Sequence, residues 1–206
     1  MFSDLKIYNF EQGSQEWLNI RLGLTTASEA SELMGSDRVY EKYCIKKQAE
    51  KYMLSADNKP DSFSTRRGKE LEPIARDLAS EYLLEDIHKI GFIKNEKYNS
   101  GCSPDGYISR LDYGVEIKCF EELEHWKSLT TGIDDKTKLQ ILHSMATTNA
   151  KGWYVVNYNP NFDKKYQFAI RLYTFNSNEN IIKGVRLMML DLKNKINENF
   201  KIEGCI

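Results

Sequence analysis

A chain of 206 residues that is 41% hydrophobic can bury one sizeable core, and a single domain over 1–206 is expected. With 29 Lys and Arg against 30 Asp and Glu, it has no global positive field with which to coat nucleic acid, so any such contact has to come from a local cluster. The four cysteines and three histidines lack metal-ligand spacing, which argues against a zinc site or a disulfide scaffold; no run is apolar enough for a signal peptide or a membrane span, so a reducing cytoplasm is the expected location.

In chain order, "SQEWLNIRL" (14–22) reads as a short helix behind a Ser14 cap. In "TTASEASELMG", Thr26 and Glu29 have the spacing of a capping box and Gly35 that of a stop, so a second helix is expected to start near Thr26 with Ser28 in its first turn. Residues 39–54 are helical by composition, and 57–69, rich in turn formers, read as a loop. A helix over 69–84 carries Leu71, Ile74, Ala75, Leu78, Ala79 and Tyr82 at helical spacing, with Pro73 in its first turn. Residues 87–94, 104–109 and 113–120 look like strands, and 137–148 like a buried helix. Residues 152–158 and 166–175 are strong strands joined by a turn at Asn159-Pro160-Asn161, and 177–200 form a long amphipathic helix. Helices flanking central strands make an α/β or α+β domain with a mixed sheet, of which α/β is the expected class.

The chemistry concentrates in "GCSPDGYISRLDYGVEIKC" (101–119). In a strand, Glu116 and Lys118 share one face while Val115, Ile117 and Cys119 share the other. A hairpin through "SRLDYG" would bring Asp105 beside Glu116, so that two carboxylates and an ammonium converge. Two such carboxylates tolerate each other when a divalent cation sits between them, and oxygen donors suit a hard ion such as Mg²⁺, with the Ile117 carbonyl as a further ligand. Such an ion lowers the pKa of water; Lys118 would orient or deprotonate that water and offset phosphate charge. The tripeptide alone is weak: acid-x-Lys also occurs at Asp4, Asp57, Asp134, Asp163 and Asp191, but only Glu116 sits in an apolar strand behind a Pro-Asp. The alternative for the stretch is a surface hairpin with an ordinary ion pair. His143 reads as a buried, satisfied histidine, and Trp153, Tyr154 and Tyr158 as sheet aromatics.

The order of Gly-to-Glu helix ("GKELEPIAR"), Pro-Asp strand ("CSPDGYI"), Glu-x-Lys strand ("GVEIKC") and Gln helix ("LQILHSMATTNAKGWYVVNYNP") resembles the PD-(D/E)xK nucleases. With "EQGSQEWLNIRLGLTTASEA" in front, residues 11–160 resemble more narrowly the lambda-exonuclease branch, the YqaJ-type viral recombinases of phage recombination. The resemblance implies a restriction-endonuclease-like core. It implies metal binding by Asp105, Glu116 and the Ile117 carbonyl, a catalytic Lys118, a supporting Glu72 and a late-helix Gln140. It also implies a terminal-phosphate pocket of Arg21, Ser28 and Ser103. Arg21 read on its own would pair with Glu16 or Glu29. At one position the chain departs from the family, which often has a second glutamine where Leu142 stands. The implied activity is Mg²⁺-dependent (Mn²⁺ substituting) 5′-to-3′ exonuclease digestion of double-stranded DNA ends, by a homotrimeric ring that feeds a single-strand annealing protein. An endonuclease of the same fold and a non-catalytic DNA-binding module are the rivals; the intact acid–acid–lysine set speaks against the latter.

Overall fold

The computed structural model describes residues 4–57 and 63–198, the side chains of 63–65 excepted. Its strands form two four-stranded mixed sheets. The first takes the order β1 (Leu5–Tyr8), β3 (Phe92–Asn95), β4 (Ser100–Cys102), β2 (Thr25–Thr26). The second runs β5 (Gly106–Ile108), β6 (Tyr113–Lys118), β7 (Gly152–Tyr158), β8 (Phe168–Thr174). In the second sheet β6 and β7 are parallel and the outer pairs antiparallel. A parallel pair needs a long crossover, and here it holds two helices, α5 (Glu122–Thr131) and α6 (Asp135–Thr148). The other helices are α1 (Gln15–Asn19), α2 (Ala30–Leu33), α3 (Asp37–Glu50), α4 (Phe63–Leu83) and α7 (Glu179–Asn197).

Strand alternation gives this second sheet two covered faces. On one face Trp153 and Val155 of β7 join a core with Ile141 and Met145 of α6 and Ile182, Val185 and Met189 of α7. On the other, Val115 and Ile117 of β6 and Val156 and Tyr158 of β7 pack on Ala75 and Ala79 of α4. The strand β6 therefore shows α4 its apolar face and turns Glu116 and Lys118 toward α6.

Several elements differ from the sequence expectation. A helical turn does start after Thr26 and holds Ser28, but it is a 3-10 turn, Ala27–Glu29, ahead of the short α2, and residues Thr25–Thr26 pair as a parallel strand with β4. The capping box does not form, because the Thr26 hydroxyl donates to the Glu29 carboxylate (2.7 Å) and two lysines hold that carboxylate. The helix α4 begins at Phe63 within the expected loop, of which 58–62 lie outside the described residues, and Pro73 is interior to it. The strand expected over 87–94 narrows to Phe92–Asn95, with His88 only in an isolated bridge to Tyr107. Positions 199 and 200 of the last expected helix, and Cys205, also lie outside the described residues.

Candidate active site

The hairpin of β5 and β6 sets the first three groups. Gly106 stands opposite Val115 and the Asp105 N–H donates to the Val115 carbonyl (3.0 Å), which brings Asp105 level with Glu116. The Asp105 carboxylate accepts the Ile117 N–H (2.7 Å). Burial, and then Glu116 and Glu72, push its carboxyl well above the usual range. Glu116, only 3% exposed, accepts from Lys118 Nζ (2.8 Å) and from Gln140 Nε2 (2.6 Å), and Lys118 Nζ also donates to Gln140 Oε1 (3.1 Å). Strand β6 and helix α6 thus meet in a closed triangle of carboxylate, ammonium and amide. Burial works against the Lys118 charge, yet Glu116 raises its pKa above the ordinary lysine value.

Glu72 approaches from α4. Its carboxylate is paired with Arg76, and Arg76 Nε donates to the Asp105 carbonyl (3.0 Å), so one guanidinium ties the helix acid to the turn at Asp105. Burial raises the Glu72 pKa in spite of Arg76. Leu142, where the family often has a second glutamine, faces the core and is 3% exposed.

A divalent metal makes its own demands on the donor set. Among the described residues no three His, Cys, Asp or Glu side chains are arranged to hold one. Mg²⁺, however, uses one or two carboxylates and keeps its waters. Asp105 and Glu116, with Ile117 lining the same cavity, offer that much. Their mutual repulsion in a buried place is what a cation relieves. The neighbouring sulfur is not ionised: burial pushes Cys119 up to about 12. The residues present fit a hard, oxygen-bound ion.

A second cluster comes from the N-terminal block. Ser14 caps α1 by accepting the Trp17 N–H (3.2 Å). The Trp17 indole N–H donates to Ser103 Oγ (2.9 Å), and the Arg21 guanidinium lies 3.9 Å above the same ring. Arg21 Nη2 donates to Ser28 Oγ (2.7 Å) and reaches Thr26 Oγ1 (3.4 Å). The Arg21–Glu16 or Arg21–Glu29 ion pair is not made; Glu29 is engaged by Lys46 and Lys47, both at 2.7 Å. Burial raises the Glu29 pKa, but Lys47, Lys46 and Thr26 outweigh it and hold the group at about 2. Arg21 is left partly desolvated, which lowers its pKa; a guanidinium in that state gains from an anion.

Arg21, Ser28, Glu72, Ser103, Asp105, Glu116, Ile117, Lys118 and Gln140 all line one cavity of about 380 Å³. Sequence reasoning missed Trp17, Thr26, Arg76 and Lys136. Two had a readable signal: Trp17 is four positions before Arg21, and Arg76 four after Glu72, the spacing of neighbours on one helix face. His143 is fully buried with a pKa lowered to about 3 by burial; its Nδ1 lies 3.4 Å from Thr147 Oγ1.

The YqaJ-like viral recombinase domain matches residues 16–151, a span that contains every one of these nine residues. The chain belongs to that family. The crystal structure of LHK-Exo, an alkaline exonuclease from Laribacter hongkongensis, superposes on the YqaJ-like chain with a TM-score of 0.75 at 23% identity, covering 89% of this chain and 94% of that one. The LHK-Exo complex with dAMP gives 0.76 at 24% identity with the same coverage. A phage related exonuclease from Haemophilus somnus gives 0.62 at 11% identity, over 84% and 94% of the two chains. No curated protein matches the sequence. The likeness to these structures is one of fold: the YqaJ-like chain shares their α/β architecture, with mixed sheets flanked by helices. No helix among its described residues is long and apolar enough to cross a membrane.

Proposed function

We propose that this chain is a Mg²⁺-dependent exonuclease that digests one strand of double-stranded DNA from a 5′ end and leaves 3′ single-stranded tails for an annealing protein. The observation that carries the reading is the sharing of one cavity by two sets of groups: Asp105, Glu116 and Lys118 on one side, Arg21, Ser28 and Ser103 on the other. A hydrolytic site beside an anion pocket suits cleavage one nucleotide in from a phosphorylated end.

In this reading Asp105, Glu116 and the Ile117 carbonyl hold Mg²⁺, or Mn²⁺ in its place. The ion, when bound, activates water and offsets charge on the scissile phosphate. Lys118 orients the water and adds a positive charge beside the phosphate. Gln140 fixes Lys118 and Glu116 against one another, and Glu72 with Arg76 fixes the turn at Asp105. Arg21, stacked on Trp17, forks onto the terminal phosphate, with Ser28 and Ser103 as hydroxyl donors. A homotrimeric ring would keep the enzyme on its duplex.

The test is one linear duplex, end-labelled and bearing either a 5′-phosphate or a 5′-hydroxyl, beside a closed circle, with Mg²⁺, Mn²⁺, Ca²⁺ or excess chelator. The expected result is release of mononucleotides from the phosphorylated 5′ end with Mg²⁺ or Mn²⁺, little with Ca²⁺, and none with chelator. Cutting of the closed circle would replace the reading with an endonuclease.

A further inference from the structure

The catalytic cavity continues in two directions. Beyond Lys118 and Gln140, between α5 and the start of α6, lies a hollow of about 500 Å³; Lys118, Lys136 and Gln140 line both it and the catalytic cavity. Beyond Glu72 and Asp105, toward Gly91 and Pro104, lies another of about 530 Å³, joined through Gln12, Lys69, Glu72 and Asp105. With the terminal phosphate at Arg21 and the scissile bond at Asp105 and Glu116, these two hollows each offer the rest of the strand a way out.

Charge separates them. The hollow past Lys118 carries three lysines, Lys118, Lys127 and Lys136, against Glu124 and Asp134. The hollow past Glu72 carries Lys69 and Lys89 against three carboxylates, Glu11, Glu72 and Asp105. A phosphodiester brings a negative charge at every step; with Lys118 paired to Glu116 and Glu72 to Arg76, the first hollow still offers it Lys127 and Lys136 along its length. The carboxylate of Asp134 is spent on capping α6, where it accepts the Thr137 N–H (2.9 Å) and hydroxyl (2.7 Å). Neither Lys127 nor Lys136 forms an ion pair among the described residues; in the other hollow the charge of Lys89 acts on Glu72 without an ion pair. Lys127 sits on the hollow's wall with Glu124, Ser128 and Thr131, spaced along one face of α5. Lys136, in the first turn of α6, stands where the two cavities join.

We propose that Lys136, with Lys127 behind it, receives the first backbone phosphate on the 3′ side of the scissile bond, so that the strand under digestion leaves the active site past Lys118 and Gln140. This rests on the exonuclease reading above and adds the strand's path to it.

The experiment measures single-turnover release of the first nucleotide from a 5′-phosphorylated linear duplex. A second duplex differs only in a neutral methylphosphonate between the second and third nucleotides of the digested strand. The wild type is expected to act about tenfold more slowly on the neutral duplex, the size of one lost charged contact. Lys136→Ala is expected to be about tenfold slower on the ordinary duplex and no slower still on the neutral one. Lys127→Ala is expected to show a smaller loss in the same direction, and Lys89→Ala to behave as the wild type on both. If Lys136→Ala remains as sensitive to the neutral phosphate as the wild type, or if Lys89→Ala loses that sensitivity instead, the path is wrong while the exonuclease reading stands. If the wild type releases no terminal nucleotide even from the ordinary duplex, the exonuclease reading falls and takes the path with it.

Discussion

The ammonium of Lys118 sits between a carboxylate oxygen and an amide oxygen, 2.8 and 3.1 Å away. In the proposed reading, that position serves the transition state more than binding. Lys118→Ala is expected to slow the chemical step by about 10²-fold or more while DNA affinity, read by filter binding in Ca²⁺, changes far less. Cleavage at the wild-type rate would mean that the strand is merely structural. Trp17 makes a finer test. Trp17→Phe keeps an aromatic face under Arg21 but removes the donor that fixes Ser103. The preference for a 5′-phosphate over a 5′-hydroxyl end is expected to fall about fivefold, the effect of one neutral hydrogen bond; an unchanged preference would remove Ser103 from the pocket. At this scale the strand alternation of 115–119 was enough to place Glu116 and Lys118 on one face. The spacing of Trp17 to Arg21 and of Arg76 to Glu72 was readable, but what each also holds, Ser103 and the Asp105 carbonyl, is distant in sequence and stayed hidden.

Among the elements, β7 was legible to its ends and α6 nearly so, because their apolar residues follow the period of the structure they form. Helix α5 was not. Its buried positions are His125 and Ser128, while Leu123 and Trp126 are exposed, so its apolar pattern marks the wrong face. The short β1, β2 and β4 are too brief for any period to show, and long-range pairing alone makes them strands. The turn between β2 and α2 is held by charge rather than by helix propensity, and that gives a pH dependence. Glu29, ordinarily near 4.5, is held at about 2. A carboxylate with a depressed folded pKa stabilises fully above its unfolded value and loses that contribution as pH falls toward the folded one. The shift corresponds to roughly 3 kcal/mol. Glu29→Gln is therefore expected to be destabilised at pH 6, with the gap to the wild type closing between about pH 4.5 and 2 in urea melts. A gap that stays constant over that range would show that the Lys46–Glu29–Lys47 cluster contributes nothing through charge.

For the whole molecule the balance of charge is the constraint. The formal net charge is −1, and among the described residues the cationic groups of the groove are few: Arg21, Lys69, Lys118, Lys127 and Lys136 stand among several carboxylates. So few phosphate contacts hold DNA weakly, and salt weakens them further. A monomer working with that groove alone would leave its substrate after few cleavages. A closed ring around the duplex removes the dependence, because retention then rests on topology instead of affinity. The expected outcome is a scattering mass of three chains at micromolar concentration. With it should go a particular salt response: raising salt to about 200 mM slows engagement of new ends, yet digestion of duplexes already engaged continues when excess unlabelled DNA is added. A monomeric mass, with digestion that stops as soon as the competitor is added, would show that no ring forms and that the groove alone governs how long the enzyme stays.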